Sequence, residues 1–489
     1  MTLHLFSSAV MPPWGVLCVI GGFLYHLALG YFYTVGNMNP YVISYMGIKS
    51  SQSAWFSSVI LAVQAISLPV GGVLAKKTGF RLPLILGILS SGAGIMLTYL
   101  TINHGLGAYV ATYCILFGLG MGIPYSVIFQ VASSWFPAHR ATVVGIIASG
   151  FGLGALVFTP IQTRIINPYD VQPVAGKYPP EVEERIPRAF LILGGIVLGL
   201  ELLGLLAMRN CPDSAAQGKL KAGSSNKTNV AEKGDIEELQ SLKGYTKSEA
   251  VAVPQESLTV MEAIKCVDFY ILFGVVFCDV IPVSLLTSTF KVYGIDNQLK
   301  DKYLSDIATT CAAFNCIGRI VWGMLVDHFS YKCPLLWLLL QWGLLFVTYP
   351  YVAAGSAGPY LYALWIFAIF FTLSGHFVII PGACTRIFGP QNMATIYGLV
   401  YAATAPSALL AAAIFSQFDV KGAWIAVYTA CAVSCFIAFV ISLFLKDDQV
   451  RCVGFTSAFS RLCDSCRSQP KSDEPEGRAA GNNGEILES

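Results

Sequence analysis

Twelve times along the chain, a run of about twenty predominantly apolar residues recurs, the length an α-helix needs to cross a bilayer core. The first six runs fall near residues 14–36, 53–75, 82–102, 108–135, 142–161 and 187–208. The second six fall near residues 269–290, 307–326, 334–354, 359–382, 393–418 and 424–445. Lipid offers no partner to an open backbone N–H or C=O, so such segments are confined to helices that satisfy themselves. The expected fold class is an all-α polytopic membrane protein with twelve transmembrane helices. Composition agrees: 55% of the 489 residues are hydrophobic and 12% charged, against about 25% charged in soluble domains.

Between the two sets of six, residues 210–257 are polar, rich in Lys, Glu, Ser and Gly, and read as a largely disordered cytosolic linker. Residues 447–489 read as a tail of the same kind, which leaves 1–209 and 258–446 as two six-helix halves. The net charge of +2 gives no reason to expect a nucleic-acid partner. With both termini and the linker on one side, about 20 Lys and Arg fall there and about 9 opposite, which places that side in the cytosol. The short loops carry most of this weight, through Lys76, Lys77, Arg81 and Arg140. Among membranes, the plasma membrane is preferred to an organelle. The first apolar run is too long and aromatic for a cleaved signal peptide and reads as a spanning helix. Most of the 14 cysteines lie in apolar runs or in the tail and read as reduced packing residues. Cys463-Asp-Ser-Cys466 is a lone pair that gives weak support to zinc, and the sequon Asn226-Lys-Thr228 falls in the cytosolic linker.

Arg319 lies inside the eighth apolar run. A guanidinium at that depth costs at least about 2.5–3.5 kcal/mol, so it marks either a function or a structural pin. Its planar fork suits a carboxylate, to which it can donate two parallel hydrogen bonds. Asp279, about ten residues into the seventh run, reaches a similar depth. It reads as a partner for Arg319, either a counter-ion and proton site or half of a fixed buried pair. His376, midway along the tenth run, reads as a proton carrier or as a hydrogen-bonding tie between helices, and His26 carries the same two readings. Tyr25, Tyr31, Tyr33, Asn37 and Asn39 give the first helix a polar outer half fit to line a cavity, although interfacial tyrosines are common. Gly145, Gly150, Gly152 and Gly154 would let neighbours approach the fifth helix closely, and Glu201 suggests no role. No phosphate-binding G-x-x-x-x-G-K-[ST] loop, catalytic triad or metal cluster is found, so neither a pump, an enzyme nor a cofactor is expected.

The two halves repeat. Gly72-Val-Leu-Ala-Lys-Lys-Thr-Gly-Phe-Arg81 matches Gly323-Met-Leu-Val-Asp-His-Phe-Ser-Tyr-Lys332, and Pro137-Ala-His-Arg-Ala-Thr-Val-Val-Gly145 matches Pro390-Gln-Asn-Met-Ala-Thr-Ile-Tyr-Gly398. Both matches are offset by about 250 residues, as an internal duplication requires. The first pair resembles the major facilitator superfamily signature G-x-L-a-D-r-x-G-r-[KR], found after helix two and more weakly after helix eight. The resemblance implies the major facilitator fold, two pseudo-symmetric six-helix halves that rock about a central site. It makes Gly72, Lys76, Arg81, Gly323, Asp327 and Lys332 conformational-loop residues. Lys76 stands where that family has an acid, and Asp327 keeps it.

Residues 135–156, from Trp135-Phe-Pro onward, look like the matching stretch of the oxalate:formate antiporters and the related monocarboxylate transporters. Those families carry a substrate-binding arginine in helix eight, in a context similar to Gly318-Arg-Ile-Val-Trp-Gly323, which implies that role for Arg319. Oxalate transporters add a lysine in helix eleven, where this chain has Thr404 nearby, and monocarboxylate transporters add one in helix one, where it has none. A single cation suits a monocarboxylate. The expected function is thus secondary active transport of a small organic anion, with proton symport preferred to counter-anion exchange. Arg319, Tyr25, Tyr31 and Thr404 are the expected substrate-binding residues, and Asp279 and His376 the proton-coupling candidates. The alternatives are a carrier of amino acids or other neutral or zwitterionic solutes, and a non-transporting receptor signalling through linker and tail. Besides substrate and lipid, no accessory subunit is specified.

Overall fold

The computed structural model of the protein describes residues 13–447, apart from 49, 172, 175–176, 213–256, 354 and 418–421. Nearly all of the expected linker and tail, including Asn226, Cys463 and Cys466, lie outside the described residues. Among the described residues, twelve helices are long and apolar enough to cross a membrane. The first six are α1 (Pro13–Met46), α2 (Trp55–Thr78), α3 (Arg81–His104), α4 (Leu106–Ser133), α5 (Arg140–Ile166) and α6 (Pro180–Ala207). The second six are α7 (Val267–Thr287), α8 (Tyr303–Phe329), α9 (Lys332–Tyr351), α10 (Gly358–Phe388), α11 (Met393–Ala413) and α12 (Trp424–Ser442). The only β pairing among the described residues is an isolated bridge between Val174 and Lys177.

Each apolar run corresponds to one helix, but several helices outlast their runs. The helix of α1 reaches Met46, that of α7 continues to Asp296 and α10 continues to Phe388. Hydropathy marks the part of a helix that meets lipid, whereas backbone hydrogen bonding propagates past it at little cost. The α-helical pattern is interrupted inside α1 and α11, and α4 carries a π-helical stretch at Val110–Leu116. In α1, a 3₁₀ turn at Gly30–Thr34 separates Pro13–Leu29 from Val35–Met46. In α11, Met393–Tyr401 and Thr404–Gln417 are separate segments, because Pro406 has no N–H to return to the carbonyl one turn back.

Within the first half, α1 packs on α5 and α6, α2 on α4, and α3 on α6. Within the second, α7 and α9 pack on α12, and α8 on α10. The halves meet along two seams, α5 against α8 and α2 against α11, which the internal repeat interchanges. Between helices in lipid there is no hydrophobic drive, so close approach depends on small side chains and polar contacts. The glycines of α5 supply it in two directions. Gly150 and Gly154 lie against the α1 backbone at Phe23 and Gly30, while Gly145 and Gly152 face Arg319 and Asn315 of α8 across the seam. A β-carbon on Gly152 would come within 2.8 Å of Asn315 Oδ1.

Candidate functional site

Arg319 is fully buried where the two halves meet. Its Nε donates to Asn315 Oδ1 one turn earlier on α8 at 3.0 Å, and its Nη1 donates to the Ala148 carbonyl of α5 at 2.9 Å. Its Nη2 donates to the Tyr33 hydroxyl of α1 at 3.3 Å. The guanidinium carbon lies 4.6 Å from the centre of the Phe377 ring of α10 and 5.6 Å from that of Phe151 of α5. All three acceptors are neutral, and no described carboxylate forms an ion pair with it. The guanidinium is thus fixed on several sides by neutral groups.

The expected pairing of Arg319 with Asp279 does not form. Asp279 of α7 faces α10 instead, where its Oδ2 lies 2.9 Å from His376 Nδ1, with both side chains buried. The two proton-coupling candidates are therefore brought together, within the second half. Asp279 Oδ1 has no hydrogen-bond partner among the described residues. The pair still adjoins Arg319, because Phe377, which stacks on the guanidinium, directly follows His376.

Of the expected substrate-binding tyrosines, neither reaches Arg319. The Tyr25 hydroxyl donates to the Leu84 carbonyl of α3 at 2.9 Å. Tyr31 packs edge-on against Tyr113, Phe117 and Phe158 at 6.4, 5.8 and 5.7 Å, inside the first half. Tyr31 and Tyr33 share the 3₁₀ turn at Gly30–Thr34, where residues two apart project about 120° from each other, and it is Tyr33 that reaches the other half. Thr404 is buried at the break in α11, next to Tyr401 in space, and Tyr401 is within electrostatic reach of Arg319. Tyr125 of α4 stacks with Tyr401 across the halves at 6.4 Å. His26 stacks on Phe129 at 4.7 Å and tilts against Tyr125 at 4.8 Å, behind this ring of aromatics. Asn315, Phe151, Tyr125, Phe377 and Tyr401 were not singled out from the sequence; the signal that could have found Asn315 is its polar side chain one turn before Arg319 in an apolar run. Glu201, buried in α6, is contacted by the Ser91 hydroxyl of α3 at 2.7 and 2.8 Å, away from Arg319.

The six loop residues lie on the side where α6 ends and α7 begins, here the linker side. Asp327 accepts from the backbone N–H groups of Ala141 and Thr142 at 3.0 and 2.7 Å, so its carboxylate sits at the N-terminus of α5 in the other half. Lys76 Nζ donates to Asn392 Oδ1 at 3.0 Å, beside the N-terminus of α11. Gly72 and Gly323 lie against the backbones of Thr395 and of Ala141–Thr142, where added β-carbons would stand 2.6 Å from Thr395 Cα and from the Ala141 carbonyl oxygen. Lys332 stays within its own half, its Nζ donating to the Leu443 and Leu445 carbonyls at 2.9 and 2.7 Å, and Arg81 is exposed. The linker end joins this surface: Asn392 Nδ2 donates to the Leu258 carbonyl at 2.7 Å, and Leu258 N–H donates to Phe388 O at 2.9 Å. The turn that makes this possible is Gly389, whose φ of +84° disfavours any side chain. Among the described residues no group of three or more His, Cys, Asp and Glu is placed to hold a metal.

Comparison with known proteins agrees with this architecture. The chain is 26% identical over 458 residues to the apicoplast pyruvate carrier 1 of Toxoplasma gondii, covering 81% of this chain and 82% of that protein. It is 23% identical over 431 residues to the oxalate:formate antiporter of Oxalobacter formigenes, covering 88% and 89%. It is 24% identical over 413 residues to human monocarboxylate transporter 12, covering 81% and 73%. In fold it is similar to the crystal structure of the major facilitator superfamily transporter FucP in the outward conformation, with a TM-score of 0.59 at 15% identity, over 88% of this chain and 100% of that one. The match to the Major Facilitator Superfamily itself runs over residues 18–412 and again over 272–458. With twelve membrane helices in two halves that meet at a buried cation, the chain is an integral membrane transporter protein of the major facilitator superfamily.

Proposed function

We propose that this protein is a secondary carrier of small organic monocarboxylates, which it binds at Arg319 and moves by alternating access with a coupled proton. The observation that carries this reading is the set of partners of Arg319: three neutral acceptors drawn from α8, α5 and α1, and no anion. An incoming carboxylate would neutralise a charge that the protein leaves uncompensated, in surroundings where water competes weakly. Three relatives named for pyruvate, for oxalate and formate, and for monocarboxylates support the same substrate class. The missing second cation favours one carboxylate over two.

The Asp279–His376 pair is the proton-coupling group in this reading. It is buried and holds one carboxylate oxygen without a partner, and one aromatic ring separates it from the anion site. Among the described residues, Cys278 and Cys435 lie within electrostatic reach of Asp279. Contact between the halves on the linker side closes one end of the path, and the positive-inside bias puts that end in the cytosol.

Uptake of labelled pyruvate or lactate into proteoliposomes, driven by an inward proton gradient, tests the proposal. Arg319→Lys should cut uptake about tenfold or more, since a lysine keeps the charge but not the planar pair of donors. Parental uptake by that variant overturns carboxylate recognition at Arg319. Inhibition by amino acids rather than simple acids would move the substrate class to zwitterions.

A further inference from the structure

The turn between α10 and α11 is held from two sides at once. Gln391 donates its backbone N–H to Ser257 Oγ of the linker end at 3.4 Å, and its carbonyl accepts from Gln130 Nε2 of α4 at 2.9 Å. The next residue repeats the arrangement with its side chain. Asn392 Nδ2 donates to the Leu258 carbonyl at 2.7 Å, and Asn392 Oδ1 accepts from Lys76 Nζ of α2 at 3.0 Å. Two successive residues of the second half thus each join the linker end to the first half. The linker end is docked by further contacts. Leu258 N–H donates to Phe388 O at 2.9 Å, and a β-carbon added to Gly389 would stand 2.6 Å from Ser257 Cα. A capping box between Thr259 and Glu262 then starts a short helix, Val260–Lys265, that leads to α7.

A carboxamide is one plane with an acceptor at one corner and donors at the other. A lysine requires the oxygen and a carbonyl requires the nitrogen, so both contacts of Asn392 fix the same orientation. Turning the plane to leave one partner loosens the other, and Asn392 is buried, where a lost partner is costly. Lys76 belongs to the first half and must leave Asn392 when the halves part on the linker side, whereas Leu258 is bonded only to the second half by the contacts above. We propose that Asn392 is a positioning residue that couples the linker end to closure of the linker side. With Leu258 docked, its amide is set to receive Lys76, and with Lys76 in place the linker end is held down. Such coupling is reciprocal: whatever pulls Ser257 and Leu258 from the turn favours opening, and opening loosens Ser257 and Leu258 by the same factor. The linker is then a regulatory input to the gate, whichever solute Arg319 serves.

Two measurements on the full chain in liposomes test this without any substrate. One is hydrogen exchange at the Leu258 amide; the other is the distance between spin labels at Lys77 and His328, exposed residues of the two halves on the linker side. Lys76→Ala alters no group that touches the linker end, yet it should speed exchange at Leu258 about threefold or more. Leu258→Pro, which removes the N–H bonded to Phe388, should raise the open population by a similar factor, while Leu258→Val, which keeps that N–H, should match the parent. In an Asn392→Ala background, Leu258→Pro should add little, because the coupling is already gone. Parental exchange at Leu258 in Lys76→Ala overturns the proposal and needs no variant of the linker end. Fully additive effects of Asn392→Ala and Leu258→Pro on opening also overturn it, leaving Asn392 as a packing residue alone.

Discussion

The loop after α2 and the loop after α8 descend from one sequence pattern and close the same side of the protein, yet they do so with opposite charges. After α8, the Asp327 carboxylate receives two backbone N–H groups at the start of α5, where the helix dipole favours an anion. At the equivalent place after α2, Lys76 is a cation beside the start of α11, where the dipole opposes it, and it is held by the neutral Asn392 side chain. The backbone donor that an acid would have taken there, Ala394 N–H, is satisfied by Gln130 Oε1 of α4 at 2.9 Å. What the two loops share is glycine: Gly72 and Gly323 both bring the helices into backbone contact. The steric half of the latch is thus symmetric and the electrostatic half is not. The α5–α8 seam, which also holds Arg319, is thus expected to be the stronger hold and the α2–α11 seam the first to open.

The most disruptive way to break this comparison is to remove what the loops share. Gly323→Leu, which would drive a side chain into Ala141, should prevent linker-side closure at a cost of about 3 kcal/mol or more, and Gly72→Leu should do the same at Thr395. Spin-label distances between the loops would report closure, and parental distances with parental transport would show that this contact is dispensable. Removing the electrostatic difference is the next largest change. Asp327→Ala should weaken the closed state by about 1.5–3 kcal/mol, roughly a ten- to hundredfold shift toward opening on the linker side, while Lys76→Ala should shift it far less. Equal effects from the two alanine variants would make the latches equivalent. Adding the missing acid is the gentlest test. Lys76→Asp should favour closure by about 0.3–1 kcal/mol, giving longer closed dwell and slower turnover. Faster turnover would reverse the order of release.

Much of the architecture could be read from residue order, and much of the site could not. The twelve spans follow from apolar runs, and the repeat marks both glycine-bearing loops in the sequence. Arg319 announced itself because an ionised group in an apolar run is costly. Its partners were hidden for a specific reason. A helix that borders lipid on one side and protein on the other is apolar on both, so the sequence lacks the contrast that would fix its rotation. Depth could be counted at about 1.5 Å per residue, which put Asp279, His376 and Arg319 near one level. Rotation then assigned Asp279 to His376 rather than to Arg319, and turned Tyr25 and Tyr31 inward while Tyr33 faced the other half. Lys332 was read as a moving-loop residue by its place in the repeat, but its ammonium fastens the end of α12.

The amino-acid sequence alone determined that this chain has twelve runs fit to span a bilayer, that the loops after the second and eighth share one pattern, and that a lone guanidinium lies within the eighth run. Those are consequences of transfer free energy and chain order, which act residue by residue. Only the tertiary structure decided that the guanidinium meets a backbone carbonyl, an amide and a phenol instead of a carboxylate, and that Asp327 meets the start of α5 while Lys76 meets the neutral Asn392. Such pairings depend on how helices turn about their own axes, and that is settled when the glycines of α5, α2 and α8 let backbones meet.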